Sequence, residues 1–65
     1  MEEFILVRDA LTDKLMIIRK SMICSVEEVT RDNKAVRQVS YTDNRSPEYV
    51  TDKLIDIFNM LEKHT

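Results

Sequence analysis

The fold of this chain is decided by residues 46–61, whose sequence is SPEYVTDKLIDIFNML. Ser46 suits a helix N-cap, Pro47 suits the first helical position, and Glu48 suits the positive end of a helix dipole. Apolar residues then recur at helical spacing. They are Val50, Leu54, Ile57, Phe58 and Leu61. The pattern predicts one amphipathic helix over about residues 47–63, on which the rest of the chain can pack.

The chain has only 65 residues, which is enough for a single small domain over residues 1–65. A domain of this size buries a modest share of its surface, so extra stabilisation is expected. Cys24 is the one cysteine, which excludes an intrachain disulfide, and His64 is the one histidine, which excludes a histidine metal cluster. Self-association remains, and we therefore expect a homo-oligomer.

Four shorter apolar segments precede the predicted helix and are separated by polar breaks. The chain has no glycine, so its hairpins must use Asn or Asp in their turns, or longer loops. The breaks are residues 12–13, 30–33 and 42–45. Aliphatic and β-branched residues in the segments predict strands at about residues 4–8, 14–19, 22–30 and 35–42, with a bulge near Gln38. The expected fold is α+β: three or four antiparallel strands in an SH3-like or barrel-like meander, followed by one C-terminal helix.

The second quarter of the chain also fits a helix. Apolar residues there follow spacings of three and four. They are Leu11, Leu15, Ile18, Met22, Val26 and Val29. This alternative predicts an all-α helical hairpin. Ile17, Ile23 and Cys24 lie off the stripe, and the abundance of Ile, Val and Thr favours strands.

Two segments carry a family resemblance. Residues 18–28, IRKSMICSVEE, and residues 39–50, VSYTDNRSPEYV, resemble the small flagellar-operon and swarming-motility proteins of FlbD type. The resemblance runs from about Phe4 to Leu61 and extends to related small bacterial or phage proteins of the same plan. It implies a meander closed by a capped helix and no catalytic signature. We expect no room for the further strand that this family has before its helix. A fainter resemblance, in residues 4–8, Val36-Arg37 and the last helix, links the chain to the RNA-binding carbon storage regulator family.

The sequence offers little for catalysis. Without glycine there is no phosphate-binding loop, and the single histidine lies next to the C-terminus. Adjacent carboxylates such as Glu27 and Glu28 point to opposite faces of a strand. Cys24, Phe4 and Phe58 are expected in the core. The chain is therefore predicted to be non-enzymatic, with no catalytic, cofactor-binding or metal site and no evident small-molecule substrate.

Contact with other proteins is the expected function, because the chain has more aliphatic residues than one helix stripe and one sheet face need. The predicted interface positions are Ile17, Ile23, Ile55 and Met60. The alternative is a weak nucleic-acid-binding regulator that uses a mildly basic stretch, residues 19–37. Its contacts would be Arg19, Lys20, Arg31, Lys34 and Arg37. No run of apolar residues is long enough to span a bilayer, and the unpaired cysteine suits a reducing compartment, so a cytoplasmic location is expected.

Overall fold

A computed structural model describes residues 3–62 of the protein. Its elements, in chain order, are β1 (Phe4–Arg8), β2 (Leu15–Arg19), a 3-10 turn (Lys20–Met22), β3 (Ile23–Arg31), β4 (Lys34–Tyr41), β5 (Glu48–Val50) and α1 (Leu54–Glu62). The α+β class and the strand meander followed by a helix are confirmed. The helical hairpin is wrong, because the segment that would form its first helix folds into β2, the 3-10 turn and β3.

The five strands within residues 3–62 form two antiparallel sheets. β1 pairs with β2, and the second sheet has the order β3-β4-β5. An isolated bridge between Asp9 and Val50 joins the end of β1 to the end of β5. The Ala10 N–H donates to the Tyr49 carbonyl at 2.8 Å, and the Thr51 N–H donates to the Arg8 carbonyl at 3.0 Å. These bonds hold the end of β1 against β5 and so connect the two sheets.

Asn and Asp take the turn positions that glycine usually occupies. Asp32 and Asn33 have φ angles of 51° and 65° and link Arg31 to its partner Lys34 in a two-residue hairpin. Two consecutive positive φ angles are the pattern of a type I′ turn. Asp13, in the loop after β1, also has a positive φ angle of 61°. The expected use of Asn and Asp in turns is confirmed. The one pairing irregularity described within β3 and β4 lies between Ile23 and Ser25, not near Gln38.

The predicted start of the helix is wrong. Residues 48–50 form β5, and its Val50 pairs with Arg37 of β4. The helix begins only at Leu54, and residue 63 of the predicted span lies outside the described residues. Tyr and Val favour strands, and pairing with β4 buries Val50 completely, which outweighs the local capping signal. The chain therefore has a further strand before its helix, contrary to expectation.

The core lies between the two sheets and is closed by α1. Its buried cluster is Ile5, Val7, Ile18, Val39, Val50 and Ile57. Ile57 is the one residue of α1 that is fully buried among those described. Phe4 and Phe58 are 51% and 53% exposed, and Cys24 is exposed, so the expectation that these three lie in the core is wrong. Alternation along β1 turns Phe4 outward, the rotation of α1 does the same for Phe58, and Cys24 lies at the break in pairing between Ile23 and Ser25.

Candidate protein-binding surfaces

The outer face of the β1–β2 hairpin is an exposed apolar surface. Leu6 is the register partner of Ile17, so their side chains share one face, while Ile5 and Ile18 share the core face. The apolar part of this surface, called the hairpin face below, is Phe4 (51% exposed), Leu6 (52%), Leu15 (57%) and Ile17 (67%). The same face also carries Arg19, the register partner of Phe4, and Arg8, the register partner of Leu15. Every one of the four apolar side chains is more than half exposed on a strand whose other face is buried.

The composition of both strands explains this surface. Residues 4–7 are FILV and residues 15–18 are LMII, which are continuous apolar runs rather than alternating ones. Such runs are typical of strands that are covered on both faces. In the described residues β2 pairs with β1 alone, so its outer edge is open as well. Native proteins usually protect an open edge with charged residues, and here Lys14 and Arg19 do so only at its two ends.

A second apolar surface lies on α1. A groove with a volume of about 540 Å³ is lined by Glu28, Arg37, Lys53, Leu54, Ile55 and Phe58, and it is called the helix groove below. Ile55 is 59% exposed and Phe58 53%, because α1 turns Ile57 toward the core and these two residues away from it. The groove combines an apolar wall from the helix with charged groups at its base and rim.

Arg37 is the unusual residue of this groove. Strand β4 places it opposite Glu28, and the residue is only 9% exposed. Its Nη1 donates to the Ala35 carbonyl at 3.0 Å, whereas its Nε lies 3.9 Å from Glu28 Oε1. That distance is too long for a hydrogen bond. Within the described residues, the buried Nε therefore has no acceptor.

The four predicted interface residues do not form one surface. Ile17 belongs to the hairpin face, and Ile55 belongs to the helix groove. Ile23 and Met60 are partly buried and pack against the core instead. The prediction missed Phe4, Leu6, Leu15, Leu54 and Phe58. The uninterrupted apolar composition of β1 and β2 was the signal for the first three of these.

The five basic residues of the nucleic-acid alternative are dispersed. Lys20 pairs with Glu3 at 3.0 Å just before β3, whereas Arg31 ends that strand, roughly 25 Å further along it. The Arg31 guanidinium lies 4.3 Å from the centre of the Tyr49 ring, and Lys34 is its hairpin neighbour. The Arg19 guanidinium lies 5.7 Å from the Phe4 ring. Since Arg37 is buried, these side chains do not line one basic surface.

Two titratable side chains near the end of β4 have shifted pKa values. Burial raises the pKa of Tyr41, and the nearby Glu48 carboxylate adds to this effect. The pKa of Asp43 is lowered, chiefly because the Arg45 backbone N–H donates to its carboxylate at 3.1 Å. The Arg45 Nε also donates to both Asp43 oxygens. These contacts order the loop between β4 and β5 and create no reactive group.

Residues 3–62 contain no group of three or more His, Cys, Asp or Glu side chains suited to a metal ion. In the same residues no helix has the length and apolar character needed to cross a membrane. Comparisons with protein-family models, with curated proteins and with solved structures gave no match.

Proposed function

We propose that this chain is a non-enzymatic, cytoplasmic protein that acts through protein–protein contact and forms a homodimer through the hairpin face. The observation that supports this most directly is the set of four apolar side chains, each more than half exposed, on the outer face of β1 and β2. A sheet with two apolar faces requires a covering layer on each. The core and α1 cover one face, and a second copy would cover the other.

A second copy fits this face because the face is self-complementary. Two hairpin faces packed about a two-fold axis would place the apolar side chains of one copy against those of the other. Burying a large apolar side chain completely contributes about 1.5–3 kcal/mol, so eight half-exposed side chains would contribute very roughly 8 kcal/mol before the cost of association. Because the cost of association begins at about 4 kcal/mol, that gain favours a weak dimer.

Light scattering across a range of protein concentrations tests the proposal. The wild-type protein is expected to have twice its chain mass of 7.7 kDa. The double variant Leu6→Lys/Ile17→Lys should have the mass of one chain while it keeps the wild-type circular dichroism spectrum. Ile55→Lys/Phe58→Lys introduces the same charge at two exposed apolar positions on α1 and should remain dimeric. High salt should not dissociate the wild-type dimer, because its contacts are apolar.

Two results would contradict the proposal. One is a wild-type protein that stays monomeric at every concentration. The other is a folded Leu6→Lys/Ile17→Lys variant that keeps the dimer mass, because four buried lysine charges per dimer would have to be tolerated in the interface.

A further inference from the structure

We propose that the helix groove binds a segment of a partner protein that carries a carboxylate next to apolar side chains. This inference goes beyond self-association and uses a different surface. The hairpin face is on the outer side of β1, whereas α1 packs with Ile57 on the core side of the same strand. Both surfaces can therefore be occupied at once.

The helix provides the apolar part of the groove. Ile55 and Phe58 are more than half exposed, and Leu54 is 37% exposed, so one helix leaves two large side chains mostly in water and a third partly in water. Leu54 and Phe58 also line a second depression of about 400 Å³, which continues beside Val26 and Leu61. Two depressions that share a wall suit an elongated chain with several apolar side chains better than one compact small molecule.

The positively charged side chains of the groove favour a ligand that accepts hydrogen bonds. Arg37 is nine-tenths buried, and its Nε has no hydrogen-bond acceptor among the described residues. A buried donor without a partner is costly, and an incoming carboxylate would supply a charge-assisted hydrogen bond. Lys53 adds a second positive charge at the rim, directly before the first residue of α1, where the helix dipole is also positive.

Glu28 does not cancel this preference. Its side chain is 60% exposed and its Oε1 lies 3.9 Å from the Arg37 Nε, so it can turn into water when a ligand enters. With Arg37 and Lys53 against Glu28, the groove keeps a net positive charge. The charge of the groove thus complements a carboxylate, and its walls complement aliphatic or aromatic side chains.

A phage-displayed library of random 12-residue peptides is the probe. It is depleted on the Ile55→Lys/Phe58→Lys variant and then selected on the wild-type protein. Enriched peptides are expected to carry Asp or Glu near at least two large apolar residues. A synthetic copy of the strongest peptide should bind Lys53→Glu at least tenfold more weakly than wild type, and replacing its acid by the corresponding amide should cause a similar loss.

Two control variants distinguish peptide binding in the helix groove from general effects of charge and from binding at the hairpin face. Lys14→Glu makes the same charge change at an exposed lysine next to β2 and should leave peptide affinity unchanged. Leu6→Lys/Ile17→Lys should also bind normally, so a failure of the dimer proposal would not affect this result. Amide chemical shifts in residues 53–58 should move on binding, and those in residues 15–17 should not.

Three outcomes would overturn the inference: no enrichment, enriched peptides without an acidic residue, or equal affinity for wild type and Lys53→Glu. Arg37→Met is a further variant, and if it folds it should also bind at least tenfold more weakly. Lys53 is exposed, so the decisive comparison does not depend on a substitution in a buried position.

Discussion

Asp52 connects the segment between β5 and α1 to the end of β1. It lies between β5 and α1, and its Oδ1 accepts a hydrogen bond from the Arg8 backbone N–H at 2.7 Å, where β1 ends. The side chain is partly buried, so water replaces this bond incompletely when the carboxylate is removed. Sequence patterns do not reveal this bond, because a contact across 44 positions leaves no local signal.

Asp52→Ala should lower the free energy of unfolding by about 1–2 kcal/mol, because it leaves the Arg8 N–H without its acceptor. Asp56→Ala is the matched control, since Asp56 is exposed in the first turn of α1. Its loss should cost less than about 0.5 kcal/mol, because the lost dipole interaction is partly offset by the helix propensity of alanine. Urea unfolding of both variants gives the comparison, and equal losses would show that the Asp52 bond contributes little.

Ionisation of Tyr41 should lower the free energy of unfolding at alkaline pH. Its folded pKa is raised above 10.0, first by burial and then by Glu48, so the fold favours the neutral phenol. The stabilisation is complete below pH 10 and is lost as pH rises through the folded pKa. Unfolding free energies of wild type and Tyr41→Phe, measured between pH 8 and 11, should show a shallower decline in the variant. Parallel curves would show that Tyr41 does not carry this dependence.

At the scale of elements, the β3–β4 hairpin shows how the chain turns without glycine. Asp32 and Asn33 both adopt the left-handed region that most residues avoid. Asn tolerates this region better than alanine does, because its side chain can bond locally. The register of the whole hairpin depends on this turn, since Arg31 and Lys34 pair directly across it.

Asn33→Ala should therefore destabilise the protein by about 1 kcal/mol, the typical cost of left-handed backbone for a residue with a Cβ. Asn33→Gly should be at least as stable as wild type, because glycine is the preferred second residue of a type I′ turn. Thermal unfolding of the two variants supplies the test. If alanine and glycine behave alike, backbone conformation at Asn33 is not what limits the stability of the turn.

The bounds of β1 to β4 were predictable within about one residue, whereas β5 and the start of the helix were not. Hydrophobic and β-branched segments bounded by Asn and Asp mark β1 to β4, because turn chemistry and strand preference are local properties. The motif Ser46-Pro47-Glu48 is equally local and favours a helix. Pairing of β5 with β4 depends on residues 9 to 13 positions away, so the local preferences of residues 46–50 do not reveal it.

At the scale of the whole molecule, the sequence predicted a surplus of apolar residues but not where they lie. The count exceeds the needs of a small core, and Ile17 and Ile55 are indeed exposed. Their allocation to two different surfaces follows from the register of β1 with β2 and from the rotation of α1 on the core. Neither the strand register nor the rotation of the helix can be predicted from composition. The sequence also did not reveal that the Nε of Arg37 is buried, because in the sequence Arg37 is simply one of several basic residues.

The small core and the hairpin face together predict that folding and association are coupled. Seven hydrophobic residues are buried within the described part of the chain, and domains of this size rarely gain more than about 3–5 kcal/mol from their cores. If the dimer is the stable species, tenfold more protein should stabilise each chain by about 0.7 kcal/mol, which raises Tm by roughly 3–5 °C. Leu6→Lys/Ile17→Lys should show a Tm that is independent of concentration. Calorimetry at two concentrations tests both statements, and a constant wild-type Tm would mean that the monomer core is sufficient and that the hairpin face has another role.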